Sequence, residues 1–156
     1  MVTTALLKLF NRDLEKLKVE IASYQEEATI WKIDKGIANS SGNLCLHLVG
    51  NINYFIGTIL GETGYIRHRE FEFSAKDLPR KELIKQVEDT LLMINKVVPT
   101  LSEEVLKKDY PIVVFKEDLP TFLFLLHLTT HLTYHLGQIN YHRRLLDHPP
   151  QISFAQ

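Results

Sequence analysis

Apolar residues recur along this chain at intervals of three and four, the period of one face of an α-helix, in four long stretches. The first runs from about Thr3 to Tyr24, with Leu6, Phe10, Leu14, Leu17 and Ile21 on one stripe. The second begins at Ser40-Ser41, residues suited to cap a helix N-terminus, carries Leu44, Leu48, Ile52, Phe55 and Ile59, and stops at Gly61 and Gly64. A third opens at Pro79, aligns Leu83, Val87, Leu91, Ile94 and Val98, and ends at Pro99. The fourth follows Pro120 and runs to about Leu146, ahead of Pro149-Pro150.

The connections narrow the architecture. A defined loop, Trp31 to Ser40, joins the first two helices, and Gly64 to Leu78 joins the second and third through a charged run. The third connection holds Tyr110-Pro-Ile-Val-Val-Phe115, enough for a small hairpin near 110–115 and no more. With so little strand signal the expected fold is all-α: a single domain over 1–156, a four-helix bundle with long second and third connections. Those lengths allow parallel as well as antiparallel neighbours.

The fourth helix is apolar almost all the way round. Phe122, Leu123, Phe124, Leu125, Leu126, Leu128, Leu132 and Leu136 cover more than one stripe, as in helices buried on several sides. A bundle of four helices leaves such a helix one uncovered face, so a homodimer with this helix at or near the interface is expected.

Composition removes several classes of function. The 156 residues are 45% hydrophobic and 24% charged, ordinary for a globular protein. With 18 Lys and Arg against 19 Asp and Glu, nothing suggests a surface for nucleic acid. No stretch reaches the roughly 18 uninterrupted apolar residues of a membrane span, so no membrane partner is expected. The N-terminus enters an amphipathic pattern with no signal-peptide character. The single cysteine, Cys45, forms no intrachain disulfide and fits a small buried hydrophobe in a reducing compartment. Cytoplasmic location is the expectation.

Candidate chemistry lies in the seven histidines. His127, His131 and His135 form a ladder at spacings of four on the fourth helix, where such neighbours lie one above the other, Cβ atoms about 5–6 Å apart. His127 and His135 are about 12 Å apart along the helix and cannot share an ion. One adjacent pair of the ladder can bind, and the spacing does not choose between 127/131 and 131/135. His142 is too far along. His68 in a charged loop and His148 beside Pro149 are simplest as solvated residues. His47, flanked by Leu46 and Leu48 in the second helix, is an ionisable ring in a core pattern and needs partners. With a HxxxH pair in the same small bundle, it points to an interhelical three-histidine site.

At these residues the chain resembles the DinB/YfiT-like family of metalloenzymes. Gly42-Asn43-Leu44-Cys45-Leu46-His47-Leu48-Val49-Gly50-Asn51, followed by His131-xxx-His135-x-Gly137-Gln138-Ile139 and the linking run Arg67-His-Arg69-Glu70-Phe71, carry the likeness. It extends over essentially the whole chain. The resemblance implies a four-helix bundle, commonly dimeric, holding a divalent metal through His47, His131 and His135, with His127 as a neighbour of the site.

Three neutral imidazoles leave open coordination positions, the pattern of a reactive site rather than a closed structural one. Zn and Ni lead among the metals suited to such ligands, with Fe and Mn also compatible. Zinc proteases of the HExxH type need a glutamate where this chain has Leu132, and the fourth helix offers no other acid between Leu119 and Leu146. A site without its own base suits a substrate that brings its nucleophile, such as a low-molecular-weight thiol that a metal converts to thiolate. The resemblance implies the same class, thiol-dependent S-transfer acting on small molecules. Two other readings are a non-enzymatic dimeric stress-response or binding protein with a vestigial site, and a metal-dependent hydrolase. Gln138 and Asn51 are candidates to orient a ligand, Trp31 and Tyr134 to line a pocket, and Arg67 and Arg69 to hold a carboxylate of the thiol. Each has a plainer reading: backbone hydrogen bonds, packing, and salt bridges to Glu70 or Glu72 on a solvated loop.

Overall fold

The computed structural model describes residues 2–34 and 36–147, so His148 and the Pro149-Pro150 stop lie outside the described residues. Among the described residues six helices form, apart from short 3-10 turns: α1 (Val2–Ala22), α2 (Ser41–Gly61), α3 (Arg69–Ser74), α4 (Arg80–Val97), α5 (Glu103–Lys107) and α6 (Thr121–Leu146). The four long ones are those the hydrophobic period predicts. Leu6, Phe10, Leu14, Leu17 and Ile21 of α1 and Leu83, Val87, Leu91, Ile94 and Val98 of the third stretch are all buried, each side chain stabilising the fold by about 1.5–3 kcal/mol. Ser40 caps α2 by accepting the Asn43 N–H, and α2 stops at Glu62, whose φ of 49° is left-handed.

Cross-links between helices fix their directions. Asn11 pairs with Asn95 while Arg80 reaches the Ala22 carbonyl, so α1 and α4 are antiparallel. Thr133 bonds Asp13 and Asn140 bonds Glu20, so α1 and α6 are parallel. Asn53 meets Thr90 and Gly61 meets Val97, making α2 and α4 parallel. Phe55 packs on Phe124 while His47 meets His131, which sets α2 antiparallel to α6. The order is therefore up, down, down, up. Because α2 and α4 point the same way, the chain between them must travel back along the bundle, and α3 lies on that return, against α2.

Two departures from the sequence reading have physical causes. Within α2 the ladder slips into a π-helical turn over Asn53–Thr58, where the Ile59 N–H bonds Tyr54 O, five residues back. Asn53 donates to Val49 O and Thr90 Oγ1, and the Tyr110 hydroxyl donates to Phe55 O, so side chains share backbone partners there. Ile56 consequently enters the core, and Phe55 and Ile59 of the predicted stripe are only half-buried. The expected hairpin near 110–115 reduces to one antiparallel bridge, Asp109 to Pro120, and no strand forms among the described residues. Val113 and Val114 are exposed, with no facing strand to pair with.

In α6, Phe124, Leu125, Leu128, Leu132 and Leu136 are buried, whereas Phe122, Leu123 and Leu126 are about 40% exposed. The helix is thus apolar beyond what the bundle covers. Among the described residues one helix, Ser41–Gly61, meets the length and composition of a membrane span, yet 67% of that apolar window is buried within the bundle, as in a core helix. Cys45 is a buried free thiol, its pKa pushed up to about 12 by burial.

Candidate metal centre

Antiparallel α2 and α6 bring His47 face to face with the histidine ladder. His47 is buried on α2, and His131 and His135, one turn apart on α6, are half-buried. Their Nε2 atoms converge: His47 to His131 is 3.3 Å, and His135 to His131 is 3.1 Å. One ligand atom from each of the three lies within 4.8 Å of the others, so the trio can hold a metal ion. Metal–imidazole bonds of about 2.0–2.1 Å at tetrahedral angles place ligand nitrogens about 3.3–3.4 Å apart, close to the separations seen.

The opposite edges of two rings explain why the Nε2 atoms point inward. His47 Nδ1 lies 3.0 Å from Glu72 Oε2, and His135 Nδ1 lies 2.6 Å from Gln138 Oε1. Both partners are acceptors, so both Nδ1 atoms carry the proton and both Nε2 atoms present a lone pair. This is the outer contact that orients metal-binding imidazoles. Nε2 atoms at such distances cannot all satisfy one another by hydrogen bonds. Burial first, then the neighbouring histidines, lowers the pKa of His131 to about 4, and burial lowers that of His135 against the opposing effect of the bond it donates to Gln138. The His131 and His135 rings are therefore neutral, and able to ligate, at neutral pH.

Glu72, named from the sequence only as a salt-bridge partner on a solvated loop, is the residue whose contact with the trio the sequence did not reveal. It sits on α3, only 4% exposed, where Arg67 grips both its oxygens, Nε to Oε1 at 2.7 Å and Nη2 to Oε2 at 2.8 Å. Burial by itself would raise the Glu72 pKa, but the bonds from Arg67 and His47 prevail and hold it below the usual carboxylate range. Gly50 makes the approach possible, since a Cβ there would collide with the Glu72 carboxylate. The segment read as a charged, solvated loop is in fact a short helix with a buried ion pair. An acid beyond Arg67 was visible, yet Glu70 and Glu72 look alike in sequence, and only the glycine three residues after His47 hinted which one turns inward.

The remaining candidates divide. Arg67 is engaged with Glu72 and also lies over the Phe55 ring, 5.7 Å away. Arg69 is exposed, its guanidinium 5.5 Å from the Phe73 ring, and Phe73 in turn sits 4.9 Å from the His47 ring. His127 is an exposed neighbour, stacked on His131 at 6.1 Å and against Phe115 at 4.8 Å. Tyr134 is exposed with its ring 5.2 Å from that of His135. Trp31 packs on Gly42 at the start of α2 and donates to Leu78 O, five residues before His47 rather than beside the trio. Asn51, one turn past His47, is buried with Oδ1 unpartnered among the described residues. His142 is a core residue, its Nδ1 2.7 Å from the Tyr24 hydroxyl and its Nε2 2.8 Å from Lys32 O. His68 is exposed at the start of α3, as expected.

A sequence-family model described as a protein of unknown function (DUF1572) matches residues 4–153, nearly the whole chain. No curated protein matches it.

Proposed function

The chain belongs to the DUF1572 family of proteins of unknown function, and we propose that it is a divalent-metal-dependent enzyme of the DinB-like superfamily, built around His47, His131 and His135. The observation that carries this reading is the convergence of the three Nε2 atoms between the helices, with Glu72 Oε2 and Gln138 Oε1 against Nδ1 of two of the rings. An ion held there, zinc or nickel first, supplies a positive centre that lowers the pKa of a thiol or water bound to it. His47, His131 and His135 would hold it, with Glu72 adding basicity to His47.

The proposed reaction is transfer of a thiol sulfur to a small electrophile. The S–H proton leaves to solvent, an S–C bond forms, and the bond to the leaving group breaks. What favours it over hydrolysis is that no free carboxylate touches the trio among the described residues. Among the described residues the carboxylate that touches the trio is Glu72, and both its oxygens already accept bonds. A carboxylate grip by Arg67 is less favoured, because its guanidinium fork is occupied by Glu72. The exposed Phe122, Leu123 and Leu126 of α6 support a homodimer, and the single buried cysteine supports a reducing, cytoplasmic setting. Zinc- or nickel-loaded protein screened with small thiols and alkyl or epoxide electrophiles should show turnover that chelator abolishes. Thiol-independent ester or amide hydrolysis by the loaded protein would instead support the hydrolase reading.

A further inference from the structure

A cleft of about 390 Å³ opens between the loop at 36–39 and the C-terminal half of α6, lined among others by Ile37, Ala38, Asn39, Leu44, Gln138 and Leu145. Its volume lies in the range of small-molecule sites. Gln138 belongs to both places: its side chain lines the cleft, and its Oε1 holds the His135 Nδ1–H at 2.6 Å. The His135 ring thus lies between Gln138 at the cleft wall and the point where the three Nε2 atoms converge, where an ion would be held.

The lining has a distinct chemistry. Among the described residues that form it, none carries a formal charge, and His142 is held on both nitrogens by Tyr24 and Lys32 O. Hydrogen-bonding capacity remains at the Asn39 amide and at Gln138 Nε2, neither of which bonds another described residue. The neighbouring groove on the other side of α6 differs, lined by Arg12, Asp13, Glu15 and Lys16. A charged ligand body would lose its hydration in the 36–39 cleft without a counter-charge from the described lining residues.

We infer that this cleft binds the body of the molecule whose head group reaches the histidine trio, and that this body is electrically neutral, largely apolar and equipped with one or two hydrogen-bond acceptors. The inference rests in part on the metal-site reading, and the two are separable by experiment. Metal-free, ¹⁵N-labelled protein titrated with benzyl alcohol should show saturable shifts of the Asn39 and Gln138 side-chain amides. Ala38→Trp and Leu145→Trp, both at exposed positions, should abolish those shifts while leaving thermal unfolding unchanged. Absence of the shifts, or their persistence in both variants, overturns the cleft. With zinc bound, benzyl mercaptan should bind at least tenfold more tightly than 2-mercaptoethanol or mercaptosuccinate, and Ala38→Trp should erase that advantage. Equal affinities overturn the shared head-and-body arrangement. Failure of zinc to bind at all overturns the metal reading alone, since the benzyl alcohol titration judges the cleft without it.

Discussion

Replacing Glu72 by Gln tests whether the buried carboxylate tunes the site or only balances Arg67. Glutamine keeps the shape and can still accept from His47 Nδ1, but it removes the negative charge that strengthens that bond and pairs with Arg67. Two effects should separate. The first is on the ion: loss of an outer contact of this kind costs about 10–100-fold in metal affinity, or about 1.4–2.7 kcal/mol. The second is on the fold. Arg67 and Glu72 side chains are only 12% and 5% exposed, so the variant strands a nearly buried guanidinium. That costs about 3 kcal/mol, the lower end for a broken buried pair, because one acceptor survives. Zinc competition with a chromophoric chelator reads the first effect, and urea unfolding of metal-free protein reads the second. The reasoning is refuted if zinc affinity stays within twofold of the parent while stability falls as expected, for then Glu72 serves Arg67 alone.

Three other outcomes follow from the same geometry. Gly50→Ala forces a methyl against the Glu72 carboxylate, so it should destabilise the protein by about 1–3 kcal/mol and weaken zinc binding together, as read by calorimetry and chelator competition. His131 titrates near 4 in the fold against 6.5 unfolded, so between those values the unfolded chain binds more protons and stability falls as pH falls. The urea midpoint of metal-free protein should hold above pH 6.5 and decline towards pH 4, and His131→Phe should flatten that decline. If α6 forms the proposed homodimer interface, the parent should scatter light as a dimer and Leu126→Asp, placed on the uncovered face of α6, as a monomer of unaltered helix content.

The long helices and the histidine trio were legible because both rest on helical periodicity. Heptad-like steps in α1 and α4 mark buried stripes, and a spacing of four places His131 beside His135 whatever else the chain does. Choosing 131/135 over 127/131 needed either the family likeness or the antiparallel docking of α2. Glu72 was hidden for a local reason: α3 spans six residues, too short for a period to separate its inward acid from Glu70. The slip in α2 was hidden too, since it arises where Asn53 and Tyr110 side chains take up backbone groups of the helix. A salt bridge from Arg67 to Glu70 or Glu72 is the plainer reading of the sequence, and the structure bears it out with Glu72; its burial is what the sequence does not show.

Elemental analysis by mass spectrometry of tag-free protein tests the central claim most directly, beside His47→Ala and His131→Ala. The account predicts close to one divalent ion per chain in the parent and loss of it in both variants. Parent protein that is metal-free and takes up neither zinc nor nickel on titration would contradict it.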